Sequence, residues 1–367
     1  MTNPAAFLPR LREQYCATRR SLEFIGNNSP IAFFRIALRS LLWRILRPWR
    51  RHILIPWASS GFFSNVRAIV FLIHDAEQRG LQPVMVSSRY AVNGIWPLLV
   101  GRNLYWDDAG WNGSRNTWEY YFEPVSGVSS EQELIWVRNA RTAYENPHFT
   151  VQDPAANLDY QRYGYASARW GRAHIKRDYP SIDDRMMMYT LLTRHVTVRP
   201  IIKAKVDAFY AQHMAGRRVV GVHIRKGDYE GTEGLPTHIE EFSAAIDERS
   251  DWDLVYLATD CEGTVESMRQ IYQERLMCYD CTRGTDTRGI HNRTDAGLSK
   301  ALLGEETLID ALLLTRCDYY VHGNSSMNFA VLSWNPTLEH LNIFSLRKCQ
   351  TGPDSDHGEE EITSPEN

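Results

Sequence analysis

Between residues 218 and 334, short runs of apolar residues with almost no charge alternate with stretches of helical periodicity. That alternation constrains the fold more than any other feature. Arg218-Val-Val-Gly-Val-His-Ile224, Leu254-Val-Tyr-Leu-Ala258 and Tyr319-Tyr-Val-His322 read as strands buried on both faces. Helices are expected over about 238–247, 264–274, 305–317 and 325–334. Strands and helices of these lengths in alternation predict a parallel sheet covered on both sides. Ligands of such sheets sit beyond the carboxyl ends of the strands, so the loops after Ile224, Ala258 and His322 are expected to converge.

The first half is less regular. Ile53-Leu-Ile55 reads as a short strand, Ser59-Ser-Gly61 as a small-residue turn, 64–78 as a helix and Pro83-Val-Met-Val-Ser87 as a second strand. This is a βαβ unit whose turn feeds a helix N-terminus, though it lacks the full dinucleotide fingerprint. The Trp-, Tyr-, Asn- and Gly-rich stretch from about 100 to 180 reads as loops and irregular helices around a polar site. Further upstream, Ser29-Pro30 opens a helix over 31–46 that Pro48 should end or kink. Arg35, Arg39, Arg44 and Arg47 fall on one side of it, and Phe34, Leu38, Leu41 and Ile45 on the other. A bilayer span needs roughly 20 residues nearly free of charge, so this helix should not cross a membrane. Its amphipathic pattern fits equally a helix lying on an anionic membrane surface and one packed on the protein with solvated arginines. From about Thr351 the Gly-, Ser-, Pro- and Glu-rich chain reads as a disordered acidic tail.

Composition removes some functions. The 367 residues suffice for two ordinary domains, and the net charge of -3 argues against a general nucleic-acid binder. An anionic ligand must therefore be held by local charge. Cys278-Tyr-Asp-Cys281 with His291 has zinc or redox spacing, but the second Cys/His pair a zinc site needs is not found, so ordinary thiols are favoured. No cleavable leader is expected, because the first residues are polar and carry Arg10, Arg12, Arg19 and Arg20.

The chemistry concentrates in the loop after Ile224, which carries Arg225, Lys226, Asp228 and Glu233. Arginine offers a planar fork and lysine a compact charge, a pair suited to a diphosphate. Departure of a nucleoside diphosphate builds negative charge on its oxygens, and cations fixed beforehand stabilise that charge without a metal. Asp228 can orient them. A surface turn with a local salt bridge would look the same. Gly323-Asn-Ser-Ser326 joins a strand to a helix start, where Asn324, Ser325 and Ser326 make either an anion cradle or a simple cap. Asp310 lies on an otherwise apolar helix face, where a carboxylate must be paired, with a ligand or with the protein.

Several of these segments, in this order, resemble the α1,6-fucosyltransferases of core fucosylation and rhizobial nodulation, and more loosely the wider GDP-fucose fucosyltransferase superfamily. The resemblance covers about residues 218 to 335. It is most specific at His223-Ile-Arg-Lys-Gly-Asp228, then Gly231-Thr-Glu233, Ile239-Glu-Glu-Phe242, Tyr256-Leu-Ala-Thr-Asp260, Gly289-Ile-His-Asn-Arg293, Leu308-Ile-Asp310 and Asn324-Ser-Ser326. It implies an α/β fold of two Rossmann-like domains, the GT-B arrangement; the N-terminal amphipathic helical arm, read from its own periodicity, matches nothing in the family. The expected division is an arm over 1–52, an acceptor-side domain over 53–216, a nucleotide-sugar domain over 217–350 and a tail over 351–367.

By the same resemblance, Arg225 and Lys226 would grip the diphosphate of GDP-fucose, Ser325 and Ser326 would cradle it, Asp310 would read guanine and His223 would line the nucleotide pocket. Asn292 and Arg293 fall in a family segment of the donor site. Glu233 stands at the position of the proposed catalytic base, and no metal or cofactor is implied. More weakly, Gly61-Phe-Phe-Ser-Asn65 fits the family's N-terminal glycine turn, which puts Gly61, Asn65 and Arg67 on the acceptor side. The chain departs from the family in having Lys226 where Arg is usual and Tyr229 where a Lys would pair with the base. The implied function is fucose transfer from GDP-fucose to a glycan. The alternatives are transfer of another nucleotide sugar, or a non-catalytic binder on the same fold. Asn292-Arg-Thr294 and Asn324-Ser-Ser326 are glycosylation sequons within donor-site loops, where a glycan would obstruct binding. That favours a cytoplasmic protein with peripheral membrane contact through 31–47, with the Golgi lumen as the alternative.

Overall fold

The computed structural model describes residues 52–57, 61–78, 80, 82–86, 90–92, 100–125, 181–226, 237–285, 290 and 297–350. The expected tail and residues 1–51 of the expected arm lie outside these residues, as do Asp228, Tyr229, Glu233, Asn292 and Arg293.

The N-terminal part opens with the expected βαβ unit. β1 (His52–Pro56) pairs in parallel with β2 (Gln82–Val86), and α1 (Phe62–Gln78) connects them. The antiparallel pair β3 (Tyr90–Val92) and β4 (Val100–Arg102) follows, then the short α2 (Thr117–Tyr121). Two helices not expected from the sequence come next, α3 (Ile182–His195) and α4 (Pro200–His213). α3 starts in a full capping box, in which Ser181 and Asp184 each bond the other's backbone N–H. α4 has Pro200 at its first position, where a missing N–H costs nothing.

The second half is a five-stranded, wholly parallel sheet, as the alternation predicts. Its strands are β5 (Val219–Ile224), β6 (Leu254–Thr259), β7 (Leu276–Met277), β8 (Tyr319–His322) and β9 (Glu339–Asn342), in the order β7-β6-β5-β8-β9. Every residue of β5 and β6 is buried. The period of two divides them between faces. Val220, Val222 and Ile224 pack with α5 (Ile239–Asp247) and α6 (Glu262–Tyr272), while Val219, Leu254 and Tyr256 face α7 (Lys300–Leu314) and α8 (Ser326–Trp334). α9 (Ile343–Gln350) adds Ile343 and Phe344 to the first face. Gly221 is required by closeness: a Cβ there would stand 2.8 Å from Cys317 Sγ. α7 begins five residues before its expected start because Ser299 caps it, its hydroxyl accepting from Leu302 N–H.

One hydrophobic cluster joins the two halves, running from Trp57, Phe62 and Tyr121 through Leu192 and Ile202 to Leu308, Leu313 and Tyr320. Tyr121 donates to the Ala301 carbonyl at 3.1 Å. Beside it, Gly304 leaves room for the phenol ring, since a Cβ would meet Tyr121 Oη at 2.2 Å. Glu305, 1% exposed, accepts from Trp111 Nε1 at 2.6 Å and Asn112 Nδ2 at 2.9 Å and pairs with Lys205. No helix among the described residues is long and apolar enough to cross a membrane.

Candidate functional site

β5 is the first strand of its sheet in the chain. The chain steps from it outward through β6 to β7, then returns to the other side for β8 and β9, so strand order reverses between β5 and β8. At such a reversal the loops leaving two neighbouring strands diverge to opposite faces and open a crevice beyond the carboxyl ends. His223 lies opposite both Ala258 and His322 in the register, which brings the three strand ends side by side as expected. A small, open cleft lies here, lined by His223 and Arg225 from the end of β5 and Gly323 and Asn324 from the end of β8. Thr237, Phe242, Asn328 and Phe344 complete it.

His223 is held from below. Its Nδ1 lies 2.6 Å from Asn328 Oδ1, and the amide's Nδ2 donates to the Gly323 carbonyl at 2.6 Å. Burial pushes the imidazole pKa down to about 4, against the raising effect of the Asn328 bond. The ring is therefore neutral at physiological pH, with Nδ1–H donating to Asn328 and Nε2 left as an acceptor. Tyr320 Oη also donates to Asn328 Oδ1. Asn328, 3% exposed, thus ties β5, β8 and the loop after β8 together. Sequence reasoning missed it, although an asparagine amid Phe329-Ala-Val-Leu332 carries the same signal as Asp310, a polar group on an apolar helix that must find partners.

The other expected donor-site residues divide by place. Ser325 is the N-cap of α8, accepting from Asn328 N–H at 3.2 Å, and its hydroxyl lies 3.4 Å from His223 Nδ1. Asn324 Oδ1 accepts from Asn342 Nδ2 at 2.8 Å, which fixes the loop from β9. Ser326 turns toward the N-terminal half and bonds Ser64 Oγ at 2.8 Å. The backbone N–H of Lys226 donates to Asp260 Oδ1 at 3.0 Å. Thr237 donates to the Arg225 carbonyl at 3.5 Å, so the described residues on both sides of 227–236 meet at the cleft.

Asp310 lies on α7 and does not line the cleft. Tyr256 Oη donates to one of its oxygens at 2.6 Å and Cys281 Sγ to the other at 3.5 Å, so the protein itself supplies the partners a buried carboxylate needs. Burial raises its pKa to about 6, with the Tyr256 bond and the charge of Arg283 opposing. Burial pushes the Cys281 thiol well up and that of Cys278 to about 11.

The acceptor-side residues gather at the start of α1. Gly61 precedes the helix, and Asn65 bonds its carbonyl through Nδ2 at 3.3 Å. Tyr105 Oη accepts the Phe62 N–H at 2.9 Å. Arg67 is buried with its guanidinium 5.1 Å from the centre of the Phe329 ring. Through Ser64 and Ser326, the starts of α1 and α8 touch.

No family model matches the chain, and no curated protein matches it in sequence. Among solved structures it is similar to the NodZ α1,6-fucosyltransferase co-crystallised with GDP, with a TM-score of 0.42 and 15% identity over 77% of this chain and 92% of that one. It is likewise similar to the fucosyltransferase NodZ from Bradyrhizobium, with a TM-score of 0.41 and 16% identity over 77% and 93% of the two chains. POFUT1 in complex with GDP-fucose gives a TM-score of 0.28 and 10% identity over 43% of this chain and 49% of that one.

Proposed function

We propose that the chain is an inverting, metal-independent glycosyltransferase that moves fucose from GDP-fucose to a hydroxyl of a glycan, forming an α-linkage. The observation that carries the reading is the cleft at the reversal of strand order, where Arg225 and the start of α8 face one space beside a neutral His223. A diphosphate there would meet the Arg225 fork, the Lys226 charge and the positive end of the α8 dipole. The sequence resemblance supplies the donor sugar, the GT-B arrangement of domains and the role of Glu233.

In the proposed reaction an acceptor oxygen attacks the anomeric carbon as its proton passes to Glu233. The bond from that carbon to the phosphate oxygen breaks, and GDP leaves with the charge that Arg225 and Lys226 stabilise. Displacement from the opposite face converts the β-linked donor into an α-fucoside. Asp310 lies off this cleft and is already paired with Tyr256 and Cys281, so guanine reading by it would need the nucleotide to extend beyond the cleft.

Isothermal titration with GDP and GDP-fucose, beside a transfer assay over a glycan panel, tests the reading. Binding of both with turnover on at least one acceptor is expected. Failure to bind GDP would remove the donor assignment, and tight binding with no transfer or hydrolysis would leave a binding protein on this fold.

A further inference from the structure

The structure assigns a second site, remote from the cleft: His74, Glu77 and His195 form a binding site for one divalent transition-metal ion of the zinc class, which staples α1 to α3. His74 and Glu77 stand three residues apart near the end of α1 and share one face of it. His195 is the last residue of α3. One ligand atom from each lies within 4.8 Å of the other two.

Three observations point to a cation here. Metal–ligand bonds of about 2.1 Å place neighbouring donors of a tetrahedral set roughly 3.4 Å apart, and His195 Nδ1 already lies 3.5 Å from Glu77 Oε1. The other separations lie within 4.8 Å and must shorten by side-chain rotation when an ion binds. Both helices end at this point, so the negative ends of two helix dipoles converge on it. The Nδ1 of His74 is buried with no hydrogen-bond partner among the described residues, and the His195 side chain beside it is only 3% exposed.

Two imidazoles with one carboxylate select zinc, cobalt or nickel over magnesium or calcium, which prefer all-oxygen sets. Water would fill the fourth position. Arg194 holds the other Glu77 oxygen at 3.1 Å, but its side chain is 63% exposed and can yield to solvent. His74 stands ten residues beyond Ser64 along α1, about 15 Å at the helical rise. The ion is therefore structural, and the site does not depend on the proposed transfer reaction.

The test uses the full chain without a histidine tag, stripped with EDTA, then titrated with Zn²⁺ by calorimetry and with Co²⁺ by visible absorption. One equivalent should bind, with cobalt ligand-field bands, and Zn²⁺ should raise the melting temperature. His74→Ala, His195→Ala and Glu77→Gln should each weaken binding at least tenfold, while the Cys278→Ser/Cys281→Ser double variant leaves it unchanged. Circular dichroism checks that each variant folds. Should a histidine variant fail that check, Glu77→Gln decides, and an affinity equal to that of the wild type overturns the site. So does absence of stoichiometric binding by the wild type, or loss of binding only in the cysteine variant.

Discussion

Replacing Asn328 by alanine isolates what holds the cleft in shape. Three buried groups lose their partner at once: the Tyr320 hydroxyl, the His223 Nδ1–H and the Gly323 carbonyl. They do not lose equally. Gly323 still accepts from His322 Nδ1 at 2.7 Å, and His223 keeps Ser325 Oγ at 3.4 Å. The Tyr320 hydroxyl, on a residue 0% exposed, has no other bond among the described residues that would remain. An orphaned buried donor costs about 1–3 kcal/mol and each lost net bond about 1 kcal/mol, so the variant should lose about 3–5 kcal/mol. Urea denaturation followed by tryptophan fluorescence reads this as a fall in midpoint at constant slope. GDP affinity, measured on the folded fraction, should fall with it because His223 is released. A loss below about 1 kcal/mol would mean that water or rearrangement replaces Asn328 and that the bond network has been misjudged.

Four further outcomes are expected. Glu233→Gln should keep GDP binding and lose about 10²–10⁴-fold in transfer rate, and full activity in a steady-state assay would remove the assigned base. Arg225→Ala should weaken GDP binding by roughly tenfold or more in calorimetry, the scale of a charge-assisted hydrogen bond. Asp310 has a folded pKa of about 6 against an ordinary 3.8. Its contribution to stability is therefore full below about pH 4 and is lost as pH rises through about 6, leaving a cost of about 3 kcal/mol at neutral pH. Asp310→Asn should thus gain on the wild type between pH 4 and 7 in denaturation curves, and parallel pH profiles would contradict this. Gly304→Ala would drive a methyl into Tyr121 Oη and should cost at least about 1–3 kcal/mol by thermal unfolding.

The sheet was legible because β5, β6 and β8 are largely apolar, uncharged runs, as burial on both faces requires. β9 was not, since Glu339-His-Leu-Asn342 is an edge strand whose first residue is exposed and pairs with Arg249 rather than with a core. α3 and α4 escaped because Ile182, Met186, Tyr189 and Ile201 are exposed, which blurs the apolar stripe. Their start signals, Ser181 three residues before Asp184 and Pro200 at a first turn, were nevertheless present. In the site, strand ends could be placed from the sequence, and with them His223, Arg225 and Asn324. Partners could not: that Asp310 meets Tyr256 and Ser326 meets Ser64 depends on packing between segments 54 and 262 residues apart. Glu233, Asp228, Asn292 and Arg293 lie outside the described residues, so their assignment rests on the sequence resemblance alone.

The join between the halves sets the motions open to this molecule. Tyr121 against Gly304, Trp111 and Lys205 on Glu305, and Ser64 on Ser326 all cross it, through a shared apolar core. Swinging the halves apart as rigid bodies would break every one of these at once and wet the core between them, at a cost comparable with unfolding. Passage of a ligand through the cleft is therefore expected to rely on local loop movement rather than a hinge. Excising either half as a separate protein should yield an insoluble chain.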